Sequence, residues 1–320
     1  MQTLAMTTVL SDASPIAFGC MGLGGQWDGL GYTAAELKQA HHCIEVALEE
    51  GINFFDHADI YCNGKSEQIF GEILATQPQL REQIYIQSKC GIRFADQEGP
   101  QRYDFSYQHI IDSVNGSLRR LGCGYLDILL LHRPDPLMEP EEVARAFEQL
   151  AAAGKVRHFG VSNMNHHQLQ FLQRYLDQPL VVNQMELNLL HCDFVESMVT
   201  VNDHQGQSVH FSEGLIEYCA EQNVQLQAWS PLAKGVFGRP ATEAKVAMAQ
   251  EHIDQYARQF GCERETILLA WLMRLPIGIQ PVIGTMNEQR IRACAKAVDV
   301  SLSREQWYQL FTDIRGHHIP

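Results

Sequence analysis

The sequence has little positive charge and no long apolar run. It carries 24 Lys and Arg residues against 38 Asp and Glu residues, so the formal net charge is −14. An acidic surface of this kind repels phosphate backbones and anionic membranes. No apolar run approaches the roughly 18 residues that a membrane-spanning helix needs. We therefore expect neither nucleic acid nor a membrane as a partner, and a phosphate-bearing ligand must be held by local positive groups.

The cysteines show no sign of pairing. There are nine of them, an odd number, and none stands in a C-x-x-C spacing. This usage is typical of reduced thiols in the cytoplasm, not of a disulfide framework. The first residues, MQTLAMTTVLSDAS, have no basic segment followed by an apolar core, so we expect no signal peptide. Both features predict a cytoplasmic protein.

A glycine-rich turn between a strand and a helix is also missing. A doubly wound, dinucleotide-binding sheet requires a G-x-G-x-x-G turn at that place. The only glycine-rich stretch, Gly19–Gly25, leads into Gln26, Trp27 and Asp28 and not directly into a helix. The doubly wound open sheet therefore stays the second choice among α/β folds.

Eight short apolar runs alternate with longer amphipathic stretches. The predicted strands are Ile16–Leu23, Ile52–Asp56, Ile84–Lys89, Leu126–His132, Val156–Ser162, Leu180–Glu186, Val224–Ser230 and Ile279–Ile283. The predicted helices are Thr33–Glu50, Ser66–Ala75, Tyr107–Leu121, Glu139–Ala153, Asn165–Leu176, Ser212–Gln222, Glu243–Phe260 with Thr266–Leu275, and Asn287–Val298. Eight such alternations predict an α/β fold, a single-domain (β/α)8 TIM barrel over residues 1–320. The irregular stretch at about 191–211 predicts a polar, mobile loop on the catalytic face.

Charged and polar residues end several of the predicted strands. Asp56 ends INFFD, Lys89 ends IYIQSK, His132 ends DILLLH, and Tyr61 lies five residues beyond Asp56. In a barrel the carboxyl ends of all strands open onto one face, so these four side chains are predicted to meet there. Each of them alone has an ordinary structural explanation. Their conjunction at strand ends favours chemistry.

The predicted group forms a coherent acid. A lysine ammonium stabilises a phenolate and lowers the pKa of the tyrosine from its usual value of about 10. A carboxylate keeps the buried lysine charged, and an imidazole can orient a substrate oxygen or relay a proton. Such a tyrosine can protonate a carbonyl oxygen while hydride reaches the carbon. The hydride must come from a cofactor because no side chain supplies one.

Seven segments in this order resemble the aldo-keto reductase superfamily, from about Phe18 to Val298. They are FFDHADIYCNGKSEQIFG, IQSKCG, DILLLHRPD, KVRHFGVSNM, VVNQMELN, AWSPLAKG and PVIGT. The chain looks most like the bacterial-type branch, with short loops and a short C-terminal tail. The resemblance implies reduction of aldehydes or ketones with NADP(H), which the family binds extended and without a Rossmann domain.

The resemblance also implies roles for individual residues. The catalytic tetrad is Asp56, Tyr61, Lys89 and His132, with Tyr61 as the acid in reduction and the base in oxidation. Ser162, Asn163 and Gln184 hold the nicotinamide carboxamide, and Trp229 stacks on its ring. The pyrophosphate is enclosed by Ser230, Pro231, Leu232, Lys234 and Gly235. The residues that bind the adenosine 2′-phosphate end of the cofactor are Ile283, Gly284, Thr285 and Arg290. Cys20 and Met21 touch cofactor or substrate. Independently of the resemblance, loops on the catalytic face of a barrel set its specificity, so the candidates for the substrate wall are Trp27, Tyr61, His132 and part of 191–211.

Several positions depart from the family pattern. Gly284 stands where several members carry a lysine, but Arg290 remains and suits a phosphate, which favours NADP over NAD. His57 replaces a frequent threonine and is expected to pack. Cys62 and Cys90 follow the tyrosine and the lysine. They are redox-active if Lys89 stabilises a thiolate, although small packing residues are the preferred interpretation. The histidines, cysteine and aspartates of 191–211 fit no zinc spacing, so no metal is predicted.

Two other functions remain open at this stage. Lys89 on a barrel strand could form a Schiff base, as lyases of the aldolase type do. Alternatively, the chain is an NADP(H)-binding regulatory subunit that senses redox state, because such relatives can retain the tetrad. The oligomeric state is not indicated, and a monomer agrees with the resemblance.

Overall fold

The computed structural model describes residues 4–27 and 31–320; residues 1–3 and Asp28–Leu30 lie outside the described part. The strands are β1 Ala17–Gly19, β2 Phe54–Asp56, β3 Tyr85–Cys90, β4 Ile92–Arg93, β5 Arg102–Tyr103, β6 Leu126–Leu131, β7 Val156–Ser162, β8 Leu180–Glu186, β9 Gln225–Trp229 and β10 Gln280–Ile283. The α-helices are α1 Ala34–Glu49, α2 Lys65–Thr76, α3 Tyr107–Leu121, α4 Pro140–Ala152, α5 His166–Gln173, α6 Asp193–Val199, α7 Leu215–Glu221, α8 Ala244–Phe260, α9 Arg264–Met273, α10 Glu288–Ala295 and α11 Arg304–Arg315. Short 3-10 helices cover Ala5–Thr8, Cys20–Gly24, Tyr61–Gly64, Pro78–Glu82, His204–Ser208, Ala233–Gly238 and Lys296–Asp299.

Eight parallel strands close into a barrel in the order β1-β10-β9-β8-β7-β6-β3-β2. The predicted (β/α)8 fold is therefore confirmed, and the doubly wound alternative is wrong. The short pair β4 and β5 forms a separate antiparallel hairpin after β3. Strand β6, LDILLL, is buried at every position, as parallel strands covered on both faces require.

Local signals in the sequence set the ends of the helices. The Thr33 hydroxyl accepts from the Glu36 backbone N–H, and the Glu36 carboxylate accepts from the Thr33 N–H at 2.7 Å. This capping box satisfies two otherwise unpaired donors at the start of α1. Gly122 ends α3 in a left-handed conformation with φ of 62°, which glycine adopts without a steric penalty.

Two apolar clusters stabilise the barrel. The larger one fills the space between the strands and the surrounding helices. The smaller one lies inside the barrel and includes Phe54, Ile128 and Leu130 together with Met6 and Leu10 from the N-terminal segment. Because Met6 and Leu10 cover the amino-terminal end of the strands, the cavity described below opens at the carboxyl-terminal end.

Some predicted boundaries need correction. The first strand is shorter than Ile16–Leu23, because a 3-10 helix over Cys20–Gly24 follows it. His132 and Ser230 lie one residue beyond their strands. The predicted last helix, Asn287–Val298, ends as an α-helix at Ala295 and continues as 3-10 helix. Helix α11 follows it and was not predicted.

The stretch 191–211 is not the irregular loop that was predicted. It contains helix α6 and a 3-10 turn, and it buries the Phe194 side chain against Trp271 at a ring distance of 6.0 Å. Glu196 of α6 accepts from the Arg315 guanidinium at 2.7 Å. Burial of Phe194 and this ion pair with α11 order the segment, and neither partner is near it in sequence.

A membrane-spanning helix was not expected. Across the two described ranges, no helix is both long and apolar enough to cross a bilayer.

Candidate active site

The carboxyl ends of the strands surround a cavity of about 900 Å³. Most of the predicted site residues line it: Met21, Trp27, Asp56, Tyr61, His132, Ser162, Asn163, Gln184, Trp229, Ser230, Pro231, Leu232, Lys234, Gly235, Gly284, Thr285 and Arg290. Three others do not. Lys89, Cys20 and Ile283 are buried behind the wall. No residue of 191–211 lines the cavity, which corrects the expectation that this segment contributes to the substrate wall.

The centre of the site is a buried lysine with three acceptors. Lys89 Nζ donates to Asp56 Oδ2 at 2.7 Å, to the His57 carbonyl oxygen at 2.8 Å and to Tyr61 Oη at 2.9 Å. The first contact is an ion pair whose two side chains are almost completely buried. Asp56 and Tyr61 both line the cavity, and the Tyr61 hydroxyl is the proton-bearing group that Lys89 contacts there.

The electrostatics of this group differ from the sequence expectation for tyrosine. Burial raises the pKa of Tyr61 above its usual value, and the Lys89 charge offsets only part of that rise. Burial also acts to lower the pKa of Lys89, but Asp56 and Tyr61 outweigh it and raise that pKa. The phenol is therefore neutral and the ammonium charged at neutral pH.

His132 stands beside the phenol. The two rings meet edge to face with centroids 6.0 Å apart. Burial, followed by the charges of Lys89 and Arg133, holds the pKa of His132 well below its usual value. The ring is neutral at neutral pH, and its buried Nδ1 has no hydrogen-bond partner among the described residues.

A strained turn places Tyr61 over Lys89. The residues that follow it, Cys62, Asn63 and Gly64, all have positive φ, at 49°, 58° and 86°. Left-handed non-glycine residues cost about 1–3 kcal/mol each and persist where surrounding contacts fix them. A Cβ on Gly24 would stand 2.6 Å from the Cβ of Cys62, so only glycine permits the first loop to pack on this turn.

The loop after β9 is strained in the same way. Ser230, Ala233, Lys234 and Gly235 have φ of 54°, 50°, 53° and 77°. Asn188 Nδ2 donates to the Ser230 carbonyl oxygen at 3.1 Å and so supports the first of these residues. Leu232, with φ of −97°, is followed by the left-handed Ala233, and such an alternation turns successive backbone N–H groups toward one side, which is an arrangement that binds anions.

A chain of polar contacts organises the middle of the cavity wall. Trp229 Nε1 donates to Asn163 Oδ1 at 3.1 Å, and Asn163 Nδ2 donates to Ser162 Oγ at 2.7 Å. Ser162 Oγ in turn donates to the Gln184 carbonyl oxygen at 2.9 Å. These contacts fix the orientation of the Trp229 indole relative to the three polar residues beside it.

The far end of the cavity contains charges that the sequence prediction missed. Arg239, Arg264 and Glu265 line it together with Arg290. The Arg290 side chain is 58% exposed and pairs with Glu265 at 3.2 Å. A Cβ on Gly284 would meet no atom within 4 Å, so the space beside this residue is open. Glu265 stands 25 residues from Arg290, and no sequence signal links the two.

The outer end is lined by further missed residues, Ile60 and Arg133. Trp27 meets Phe94, the residue after β4, edge to face at 6.3 Å. The Arg133 guanidinium lies 5.6 Å from the Trp229 ring centroid, and within the described chain it has no hydrogen-bond or ion-pair partner. The sequence feature that could have identified Arg133 as a cavity residue is its position directly after His132.

The cysteines near the tetrad are packed thiols. Cys62 Sγ donates to the carbonyl oxygens of Met21 and Gly25. Burial raises the pKa of Cys62 and of Cys90, which opposes thiolate formation at either position and supports the packing interpretation.

His57 also packs, edge to face on Phe70 at 4.7 Å. Residues 4–27 and 31–320 contain no cluster of three His, Cys, Asp or Glu side chains that could hold a metal ion.

The fold and the site together define a (β/α)8-barrel protein with a lysine-linked tyrosine at the mouth of the barrel. Residues 15–311 match the model of the Aldo/keto reductase family, and the chain belongs to this family.

Curated relatives agree with this assignment. The chain is 38% identical to the uncharacterized oxidoreductase YcsN of Bacillus subtilis (strain 168), over 90% of this chain and 91% of the relative. It is 36% identical to a 6-dehydroglucose reductase of Agrobacterium fabrum, over the full length of both. An aldo/keto reductase from Klebsiella pneumoniae, solved with NADP and acetate, has the same fold. Its TM-score is 0.71 at 24% identity, with 93% of this chain and 90% of that chain covered.

Proposed function

We propose that this protein is an NADP(H)-dependent oxidoreductase that reduces aldehyde or ketone carbonyls to alcohols, with Tyr61 as the general acid. The observation that supports this most is the contact of Tyr61 Oη with Lys89 Nζ at the wall of an open cavity. A protonated phenol with an adjacent ammonium can give up a proton and have the resulting charge stabilised where it forms.

The roles of the other side chains follow from their contacts. Tyr61 holds its proton at neutral pH because burial raises its pKa. When the phenol transfers the proton to a substrate oxygen, Lys89 stabilises the phenolate, and Asp56 keeps Lys89 charged and in place. His132, neutral and half-buried beside the phenol, can donate a hydrogen bond to the same substrate oxygen. Together these groups polarise the carbonyl and protonate it.

The residues along the cavity fit a nicotinamide dinucleotide. Ser162, Asn163 and Gln184 offer polar groups beside the Trp229 ring, and the left-handed loop beginning at Ser230 suits a pyrophosphate. The Arg290 guanidinium and the open space at Gly284 suit a 2′-phosphate. This positive charge lies in a chain whose formal net charge is −14. When bound, the reduced cofactor supplies the hydride that no side chain can provide.

The substrate is proposed to be a small carbonyl compound. The outer wall combines apolar side chains, Trp27 and Ile60, with the Arg133 guanidinium. Apolar surface with few polar groups is the usual composition of a small-molecule site. The Agrobacterium fabrum relative is named for 6-dehydroglucose, so sugar aldehydes are the first compounds to test.

The geometry argues against a Schiff-base lyase. A lysine that attacks a carbonyl must lose its proton, which requires a lowered pKa and access to the substrate. Lys89 has a raised pKa, directs all three N–H donors at protein acceptors and does not line the cavity.

Cofactor titration followed by a substrate screen tests the proposal. NADPH should quench protein fluorescence more strongly and at lower concentration than NADH, and a Trp229→Phe variant should lose most of the quenching. Aldehydes and ketones are then screened by the loss of reduced-nicotinamide absorbance. Absence of binding by either nucleotide would contradict the cofactor assignment. Tight binding without turnover of any carbonyl compound would favour the regulatory-subunit alternative.

A further inference from the structure

A chain of buried glutamines crosses the inside of the barrel. Gln87 Nε2 donates to Asp56 Oδ1 at 2.6 Å and to Gln227 Oε1 at 2.8 Å. Gln184 Nε2 donates to that same Gln227 oxygen at 2.9 Å, and Gln227 Nε2 donates to Gln280 Oε1 at 2.9 Å. All four glutamines are buried. Strand register sets the links, because Asp56 pairs with Gln87, Gln184 with Gln227, and Gln227 with Gln280.

The chain connects two functional groups. At one end, Asp56 binds Lys89, which binds Tyr61. At the other end, Gln184 lines the cavity beside Ser162. Buried amides cost free energy unless they are hydrogen-bonded, so four amides inside a barrel need an explanation.

Another buried glutamine shows what a purely structural arrangement looks like. Gln225 lies on β9, two residues before Gln227, and its Nε2 donates to the carbonyl oxygens of Leu226 and Gly278. Its partners are all backbone groups, since its Oε1 accepts from the Met6 N–H at 3.4 Å. Gln87 and Gln227 instead bind side chains.

We propose that Gln87 is a positioning residue that acts through Asp56, and that Gln227 links it to Gln184 on the cofactor side. Both oxygens of the Asp56 carboxylate are held, Oδ1 by Gln87 and Oδ2 by Lys89, so the carboxylate cannot turn. A carboxylate free to turn lets Lys89 Nζ move away from Tyr61. The inference rests on the proposed function for its kinetic part.

At the other end, Gln227 accepts from Gln184 Nε2 and thereby fixes that amide. With its nitrogen committed, Gln184 presents Oε1 to the cavity, where it can accept from a carboxamide N–H. Gln227 is the one acceptor that Gln87 and Gln184 share, so its loss should affect both ends, whereas loss of Gln87 should affect the proton-transfer end.

Three matched substitutions to methionine test this, because methionine retains the length and volume of glutamine without its amide. For Gln87→Met, kcat should fall by on the order of tenfold, less than the 10²–10⁴-fold contribution of a general acid, with NADPH affinity unchanged. Gln227→Met should lower kcat and also weaken NADPH binding. Gln225→Met is the control and should change neither.

The pH profile separates positioning from structure. The Lys89 charge acts to lower the pKa of Tyr61, so if Lys89 Nζ moves away from the phenol in Gln87→Met, the alkaline limb of kcat/KM should move to higher pH. The titratable groups that face the phenol are Lys89, Asp56, Cys20 and His132. They are present in the control, whose alkaline limb should coincide with that of the unaltered protein.

Several outcomes would overturn the proposal. An unaltered kcat and pH profile in Gln87→Met would show that the amides only fill the barrel. A fall in kcat and a pH shift in Gln225→Met as large as those in Gln87→Met would show the same. If near-ultraviolet circular dichroism shows that Gln87→Met does not fold, Gln87→Asn, which retains an amide, takes its place. Its kcat/KM profile should move in the direction predicted for Gln87→Met. If the proposed function is wrong, the protein without any substitution will reduce no carbonyl compound, which is a different result. NADPH affinity of Gln227→Met still tests the cofactor end in that case.

Discussion

Each end of the barrel buries a carboxylate with cationic partners. At the mouth, Asp56 accepts from Lys89 and Gln87. At the opposite end, Asp127 Oδ2 accepts from Arg81 at 2.8 Å and from the Ile86 N–H at 2.9 Å, and its Oδ1 accepts from Arg157 at 3.1 Å. Both carboxylates are buried.

The two clusters differ in what lies beyond the ion pair. The guanidiniums of Arg81 and Arg157 lie over the ring of Tyr125 at 3.8 and 3.9 Å. Tyr125 stacks with both cations and does not line the cavity. At the mouth, the tyrosine hydroxyl itself receives the lysine hydrogen bond and faces the cavity. A buried ion pair supports chemistry only where a proton-bearing group links it to a substrate, and elsewhere it supports the fold.

Removing one hydroxyl at each end is the strongest test of this difference. Tyr61→Phe should lower kcat for carbonyl reduction by about 10²–10⁴-fold, because the general acid is gone, while NADPH affinity and thermal stability change little. Tyr125→Phe is the matched control and should leave kcat unaltered. Turnover is measured by reduced-nicotinamide absorbance. Full activity in Tyr61→Phe would contradict the mechanism.

Neutralising each carboxylate should give opposite results. Asp127→Asn should lower the free energy of unfolding by about 3 kcal/mol, because it leaves two guanidiniums without a countercharge, and should leave kcat nearly unaltered. Asp56→Asn should reduce kcat sharply. Urea unfolding and steady-state kinetics on both variants are the measurements. A large loss of activity in Asp127→Asn at full folding would show that the two ends are coupled.

Acid should destabilise the mouth through His57. Burial, then the Lys89 charge, lowers the pKa of His57 from 6.5 to about 3. Below about pH 6.5 the unfolded chain therefore binds a proton at His57 that the folded chain does not bind. The free energy of unfolding falls as the pH drops from about 6.5 toward 3. At pH 5 this amounts to about 2 kcal/mol. His57→Leu should flatten the decline, and an unaltered slope in urea unfolding at several pH values would refute the assignment.

The smallest expected effects concern the far end of the cavity. Arg290→Ala should weaken NADPH binding about tenfold and leave NADH binding unaltered, because only NADPH carries the 2′-phosphate. Glu265→Gln should strengthen NADPH binding a few-fold, since it removes the carboxylate that pairs with Arg290 at 3.2 Å. Fluorescence titration measures both. Equal losses for the two nucleotides would place Arg290 elsewhere on the cofactor.

Local sequence patterns predicted most of the fold. The alternation of apolar runs and amphipathic stretches predicted the barrel because a strand buried on both faces is nearly continuously apolar, as LDILLL is apart from Asp127. The same patterns placed Asp56, Lys89 and His132 at strand ends. The ordered conformation of segment 191–211 was not predicted, because it depends on the contact of Phe194 with Trp271 and on the ion pair of Arg315 with Glu196.

By itself, the sequence determined the barrel and the identity of the groups at its mouth, since both depend on periodicity and on which residues end each strand. Only the tertiary structure decided how those groups behave. Burial raises the pKa of Tyr61 where a neighbouring lysine alone predicted a decrease. Strand register brings Gln227 to Gln184 and Gln280, and closure of the barrel brings it to Gln87, 140 residues away. Desolvation and contacts between distant strands exist only once the barrel has closed, so no local pattern encodes them.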